Sequence, residues 1–281
     1  MALMTVLLLV LSSLAFFSSS QAQTSPPLVK GLSWTFYKSN CPKLETIVRN
    51  QLRKAFKKDI GQAAGLLRVH FHDCFVQSGG PDYRVPLGRR DGLSFATRDA
   101  TLENLPAPSS GTTALLDALS RKNLDATDLV ALSGGHTIGI GHCSSFSERL
   151  YPNQDSIMDK TFAKNLYNRC PTPDSPNTTV LDIRSPDVFD NKYYVDLMNR
   201  QGLFTSDQDL YTDKRTRPIV TSFAVNQTLF FEKFALSMLK MSQLSVLTGT
   251  QGEIRANCSA RNSARAFLSS VIDTEGQSSE F

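Results

Sequence analysis

An apolar residue recurring every three or four positions is the feature that most limits what this chain can fold into. Leu44, Ile47, Val48, Leu52 and Phe56 form one such stripe, and that spacing lies along one face of an α-helix. The same character predicts helices over 60–75, 113–121, 126–132, 162–167, 191–198 and 228–241, with Asp125 or Thr127 available to cap the third of these. Strand-like alternation is short and rare, and there is no internal repeat. LPAPSS (105–110) and PTPDSPNTT (171–179) read as exposed loops. The expected fold is mostly α. A chain of 281 residues, 41% of them apolar, has room for one large domain or two small ones around a substantial core.

The net charge is only +4, and the one basic run, Arg53, Lys54, Lys57 and Lys58, reads as the solvated face of a helix. No nucleic-acid partner is expected. At the N-terminus an apolar run, MALMTVLLLVLSSLAFF, is followed by small residues, with Ser20 and Ala22 in a cleavage-like pattern before Gln23. This is read as a secretory signal peptide over 1–22 rather than a membrane anchor. Secretion permits disulfides, and three acceptor sequons, at Asn177, Asn226 and Asn257, fit that route. Five cysteines (Cys41, Cys74, Cys143, Cys170 and Cys258) leave at least one thiol over, an uncommon outcome for an intact secreted domain. The polar end of 259–281 reads as a disordered tail.

All four histidines fall in two short segments, RVHFHDC and LSGGHTIGIGHC. On a helix, His70 and His72 point about 200° apart, so they cannot share a metal ion. His70 falls in series with Ala63, Leu66, Leu67 and Cys74 and reads as a packed core residue. Arg68 and His72 are one turn apart on one face, where an imidazole can move a proton and a guanidinium can stabilise negative charge. A plain surface contact between two polar side chains is the competing reading, and the fragment alone favours it. His136 follows two glycines and is isolated. It lacks the partners of a zinc site but would suit a haem, which needs one proximal ligand, and a buried structural histidine is the competing reading. Asp182, Ser185 and Asp190, with Thr137 next to His136, are hard oxygen donors suited to Ca²⁺, though loop and cap chemistry uses the same residues.

Seven segments then carry a resemblance: GLSWTFYKSNCP, AAGLLRVHFHDCFV, PDYRVPLGRRDG, NLPAP, DLVALSGGHTIG, RSPDVFDNKYYVDLMNRQGLFTSDQDLY and VLTGTQGEIRANC. In this order they resemble the plant secretory (class III) haem peroxidases over nearly the whole of 23–258. The resemblance implies a haem-peroxidase-like helical fold holding one haem b and Ca²⁺. It implies reduction of hydrogen peroxide with one-electron oxidation of small phenolic donors, in a monomer free of the membrane after signal cleavage. It places His136 on the haem iron, with Asp207 bonded to its other ring nitrogen. It makes His72 the distal acid–base group, Arg68 its charge-stabilising partner and Phe71 part of the distal wall. Pro106 falls at the haem edge used by donors. Thr137, Asp182, Ser185, Asp190 and the carbonyl of Val188 fall on the proximal calcium site, Asp73 and Val76 on the distal one, and Cys143 pairs with Cys170. The destination implied is extracellular or cell-wall. The tail also resembles extensions that direct some relatives to the vacuole.

The chain departs from the family pattern at one place. After HFHDCFV the family continues through a Gly-Cys-Asp segment and two helices before reaching PDYRVPLGRRD, whereas here Gln77 joins directly to Ser78. The missing block carries the remaining distal calcium ligands, the Asn that orients the distal histidine, and three cysteines, which orphans Cys41, Cys74 and Cys258. Part of the distal domain is therefore expected to be deleted. Two alternatives to a working peroxidase follow: a non-catalytic secreted product that binds haem or calcium, and, more remotely, a zinc or copper module using His and free Cys.

Overall fold

The computed structural model describes residues 25–68, 80–81, 83–258 and 260–262. The expected signal peptide, most of the tail and the segment carrying His70, Phe71, His72, Asp73, Cys74 and Val76 lie outside them. Among the described residues the helices are α1 (Leu44–Lys58), α2 (Gly61–Arg68), α3 (Arg98–Asn104), α4 (Thr112–Ser120), α5 (Ala126–Ser133), α6 (Lys160–Arg169), α7 (Lys192–Met198), α8 (Thr205–Thr212), α9 (Arg217–Val225) and α10 (Gln227–Met241). One small antiparallel ladder pairs β1 (Ile140–His142) with β2 (Thr178–Val180). The mostly helical expectation holds. The loop expected over 171–179 is corrected at its end, where Thr178 and Thr179 enter β2 opposite His142 and Gly141. Two β-branched residues followed by Val180 suit a strand once a partner is present.

The helix signals resolve into physical causes. Asp125 caps α5 by accepting from the Asp128 amide, and Asp128 returns a bond to the Asp125 amide. This reciprocal box satisfies donors that a helix start leaves open. Asn226 and Asp159 cap α10 and α6 with a single bond each, accepting from the Leu229 and Phe162 amides. Asp128 is buried, and its charge is met by Lys240 of α10 at 2.8 Å and the Ser237 hydroxyl at 2.7 Å. That pairing pins α10 across α5. Arg53, Lys54, Lys57 and Lys58 are exposed on α1, as their spacing predicts. The apolar stripe of α1 is closed only at its end: Phe56 is buried, while Ile47 is 51% exposed.

Two cores organise the described chain. The larger joins α4, α5, α7, α9 and α10 around Phe189, Tyr194, Phe223, Phe230 and Phe234. The smaller joins Phe146, Leu150, Phe162, Leu166, Leu203 and Phe204 beside the Cys143–Cys170 disulfide. A 3₁₀ turn over Gly134–Thr137 runs between them. Gly134 is required there by close packing: a Cβ would lie 2.2 Å from the Tyr194 hydroxyl and 2.5 Å from the Phe230 ring. Gly134→Ala is therefore expected to destabilise the fold by about 1–3 kcal/mol through overpacking, read as a lower urea midpoint with unchanged slope. An unchanged midpoint would show that the ring and hydroxyl move aside freely.

Candidate active site

The turn that follows α5 presents His136 to a cavity of about 610 Å³. Its lining is largely apolar, with Leu132, Ile138, Leu181, Phe204, Phe234 and Met238 among the walls. Gly61, Ala63 and Ala64 of α2 line the same cavity, and the next helical turn ends in Arg68. Gly139 adopts φ +110°, which an L side chain rarely takes, and a Cβ there would lie 3.2 Å from Ala64. A cavity of this volume, apolar with few polar groups, is the usual form of a cofactor site.

His136 Nδ1 donates to Asp207 Oδ1 at 2.7 Å. Asp207 is only 2% exposed. Burial alone would raise its pKa. The neighbouring His136, the bond from that ring, the Phe204 amide and the Tyr193 hydroxyl outweigh burial and hold the carboxyl below its usual range. Asp207 is thus a carboxylate at neutral pH, and a ligand bond from His136 would use Nε2. Such a carboxylate–imidazole pair fixes the tautomer and ring orientation and makes the imidazole a stronger donor to a metal. The ring is also flanked edge-on by Phe204, 5.5 Å between centroids, and by Tyr193 at 6.1 Å.

Asp207 reaches this place because α8 begins beside His136. The link is Arg149, a buried guanidinium that no local pattern announces. It donates to the carbonyls of Gly202, Leu203 (2.9 Å) and Phe204 (3.3 Å), and is neutralised by Asp155 at 2.9 Å. One side chain thereby holds the turn leading into α8. The NLPAP loop closes on the same helix, since the Ser206 amide donates to the Pro108 carbonyl at 2.9 Å. Pro106 itself is exposed and is not part of the cavity lining.

Beside the imidazole, Thr137 is fully buried and turned toward the expected oxygen cluster. Its hydroxyl lies 3.1 Å from Asp182 Oδ2, 3.4 Å from Asp190 Oδ1 and 3.5 Å from the Val188 carbonyl. The Ser185 hydroxyl donates to Asp190 Oδ2 at 2.9 Å. The five residues expected to bind a cation therefore converge. Two carboxylates, two hydroxyls and a carbonyl are the hard donors that Ca²⁺ takes. No cluster of three or more His, Cys, Asp or Glu suited to a metal occurs among the described residues.

The chain was compared with known proteins. The peroxidase family model matches residues 76–226. Peroxidase 12 of Arabidopsis thaliana is 53% identical, over 86% of this chain and 86% of the relative. The chain belongs to the plant class III peroxidases. Cationic peroxidase SPC4 of Sorghum bicolor is 48% identical over 85% and 84% of the two chains, and peroxidase C1B of Armoracia rusticana 35% over 96% and 95%. The three alignments run over 308, 305 and 344 positions, each more than the 281 residues of this chain, so each opens gaps in it. Peroxidases of this class carry haem and typically calcium, and are typically secreted. No helix among the described residues is long and apolar enough to cross a membrane.

Beyond the expected oxygen donors lies Asp196, which sequence reasoning passed over. It is 1% exposed, and accepts from the Ile183 amide at 3.1 Å and Arg184 Nε at 2.6 Å. Burial first, and the charge of Asp182 second, push its pKa up to about 7 against those bonds. The ordinary value is 3.8, so the folded calcium-free chain holds a proton there that the unfolded chain releases. The stabilising contribution is complete below about pH 4 and is lost as pH rises through about 7. In calcium-free buffer, Asp196→Asn is expected to flatten the fall in melting temperature across that window. A slope equal to that of the unmutated chain would count against this assignment.

Proposed function

We propose that this peroxidase reduces hydrogen peroxide while oxidising small phenolic donors one electron at a time, and that the Gln77–Ser78 join leaves it impaired. The observation that carries the catalytic reading is the His136–Asp207 pair set into an apolar cavity. His136 Nε2 would hold the haem iron, and Asp207 would set its basicity. Bound there, haem supplies the redox-active iron at which peroxide is reduced and donors are oxidised. His72 takes the proton from one peroxide oxygen and returns it to the other. Arg68 stabilises the charge that develops as the O–O bond breaks, and Phe71 lines that side. Donors approach near Pro106. Thr137, Asp182, Ser185, Val188 and Asp190 hold the proximal calcium ion, while Asp73 and Val76 are what remains of a distal one.

Three observations support the impairment. The alignments with relatives are longer than this chain. Cys41 and Cys258 are free thiols, where the family pattern would pair them. The stripe of α1 is left partly open, and Leu93 and Phe95 beyond the join are each 58% exposed. Each lost disulfide costs roughly 2–5 kcal/mol in a secreted domain, against a total stability of about 5–15 kcal/mol. The family's Asn that orients the distal histidine falls in the missing block, and general acid–base assistance is worth roughly 10²–10⁴-fold. The same observations favour a second reading, a non-catalytic secreted product that binds haem or calcium through the half of the chain carrying His136.

A haemin titration of the refolded mature chain separates the two. A saturable Soret band, abolished by His136→Ala, is expected. With saturating peroxide and a phenol, turnover is expected to fall about 10²–10⁴-fold below that of Peroxidase 12. Turnover matching the relative would sink the impairment, and a saturable band with no response to peroxide would favour the binding-only product. The absence of any saturable band would overturn the haem assignment for this chain.

A further inference from the structure

The carboxylate that faces His136 is shared. Asp207 Oδ1 accepts from His136 Nδ1 at 2.7 Å and from the Tyr193 hydroxyl at 2.9 Å, while Oδ2 accepts from the Phe204 amide at 3.0 Å. Tyr193 is buried, and its ring stands edge-on to the imidazole at 86°. Burial first, then the negative charge of Asp207, raise the Tyr193 pKa well above 10, so its hydroxyl remains a donor. Two donors on one oxygen draw on the same lone-pair density, so strengthening either bond weakens the other. The adjacent Tyr194 is equally buried but donates elsewhere, to the Val130 carbonyl at 2.9 Å. The two neighbouring tyrosines thus differ in one respect that matters here: only Tyr193 touches the carboxylate.

We propose that Tyr193 is a positioning residue that competes with His136 for Asp207 Oδ1, and so limits how strongly the carboxylate pulls on the Nδ1 proton. The basicity that His136 offers at Nε2 is then set jointly by Asp207 and Tyr193. For haem, this inference rests on the ligand role proposed above for His136. The competition itself does not, because both bonds exist within this chain.

Tyr193→Phe removes one oxygen atom and leaves the ring. In the apo-chain, the NMR resonance of the His136 Nδ1 proton is expected to move downfield as its bond to Asp207 strengthens. In the haem-loaded chain the ferric form should be favoured, with the ferrous-to-ferric ratio at fixed potential falling by up to about tenfold, or about 59 mV for a one-electron couple. Tyr194→Phe, which loses the same group from the same core, should move neither signal. An unmoved proton in Tyr193→Phe, or an equal movement in Tyr194→Phe, overturns the proposal. Should Tyr193→Phe fail to fold, the unmutated chain still decides. An exchange-protected Tyr193 hydroxyl proton with a nuclear Overhauser effect to the His136 Nδ1 proton is expected, and its absence overturns the bond. If the unmutated chain takes up no haem, the ligand role of His136 fails, while the apo-chain proton shift still tests the competition.

Discussion

A carboxylate closed off from water sets the terms for most of this structure. Asp207 is charged at 2% exposure, and a buried charge left without partners costs several kcal/mol. Its partners come from three places: the turn after α5, the α7 helix and the start of α8. His136, Tyr193 and the Phe204 amide must all arrive together. Satisfying one group therefore fixes the turn after α5 against two consecutive helices that lie far from it in sequence. Arg149 does the complementary work at the other pole. A buried guanidinium needs acceptors, and the carbonyls it finds are those of the turn that launches α8. Each of these two buried ions supplies a reason for the other's position.

The parts of the fold that were legible in the sequence are those with local causes. The α5 and α10 helices carry both a periodic apolar face and a cap, so their existence and ends could be read. The three-residue oxygen cluster was legible as chemistry, since hard donors fell within nine residues of one another. The α8 and α9 helices escaped notice for physical reasons. TSDQDLYT has few apolar residues to mark a period, and α9 opens with Arg217-Pro218, where a proline that reads as a breaker instead starts a helix. Thr178 and Thr179 looked like loop because a strand edge is decided by its partner. Tyr193, Asp196 and Arg149 had no signal at all. Their roles depend on contacts 12 to 55 residues away, and no periodicity encodes such a contact. The place of Asp207 was legible only through the family resemblance, never through its spacing from His136.

His136 and Thr137 are consecutive residues that serve different surroundings. The tight 3₁₀ turn rotates each residue by about a third of a turn from the last, so one faces the apolar cavity and the next faces the oxygen cluster. A cation held by Thr137, Asp182 and Asp190 would stiffen the backbone that presents the imidazole. The coupling needs no long pathway, because the two sites share a peptide bond. Asp196 extends this arrangement outward. By holding the Ile183 amide and Arg184, it fixes the loop that carries Asp182 from behind, while the charge of Asp182 helps keep its own carboxyl protonated.

On the reading proposed above, in which the Gln77–Ser78 join omits a block of the family pattern, the chain beyond it bears on whether this arrangement can persist. Residues 87–91 are tied by backbone pairs to both ends of the described chain: Leu87 with Ser33, Arg90 with Leu247 and Asp91 with Glu253. Side chains reinforce the ties, with Arg90 Nε on the Gln251 carbonyl at 2.7 Å and Arg255 on the Gly92 carbonyl at 2.7 Å. Apart from the Leu87–Ser33 pair, these ties join residues that all lie after the join. The larger core and the core around the Cys143–Cys170 disulfide likewise draw mainly on residues after the join. The carboxylate–imidazole pair lies within the cores that remain. On the impairment proposed above, damage should accordingly appear last in the geometry around His136.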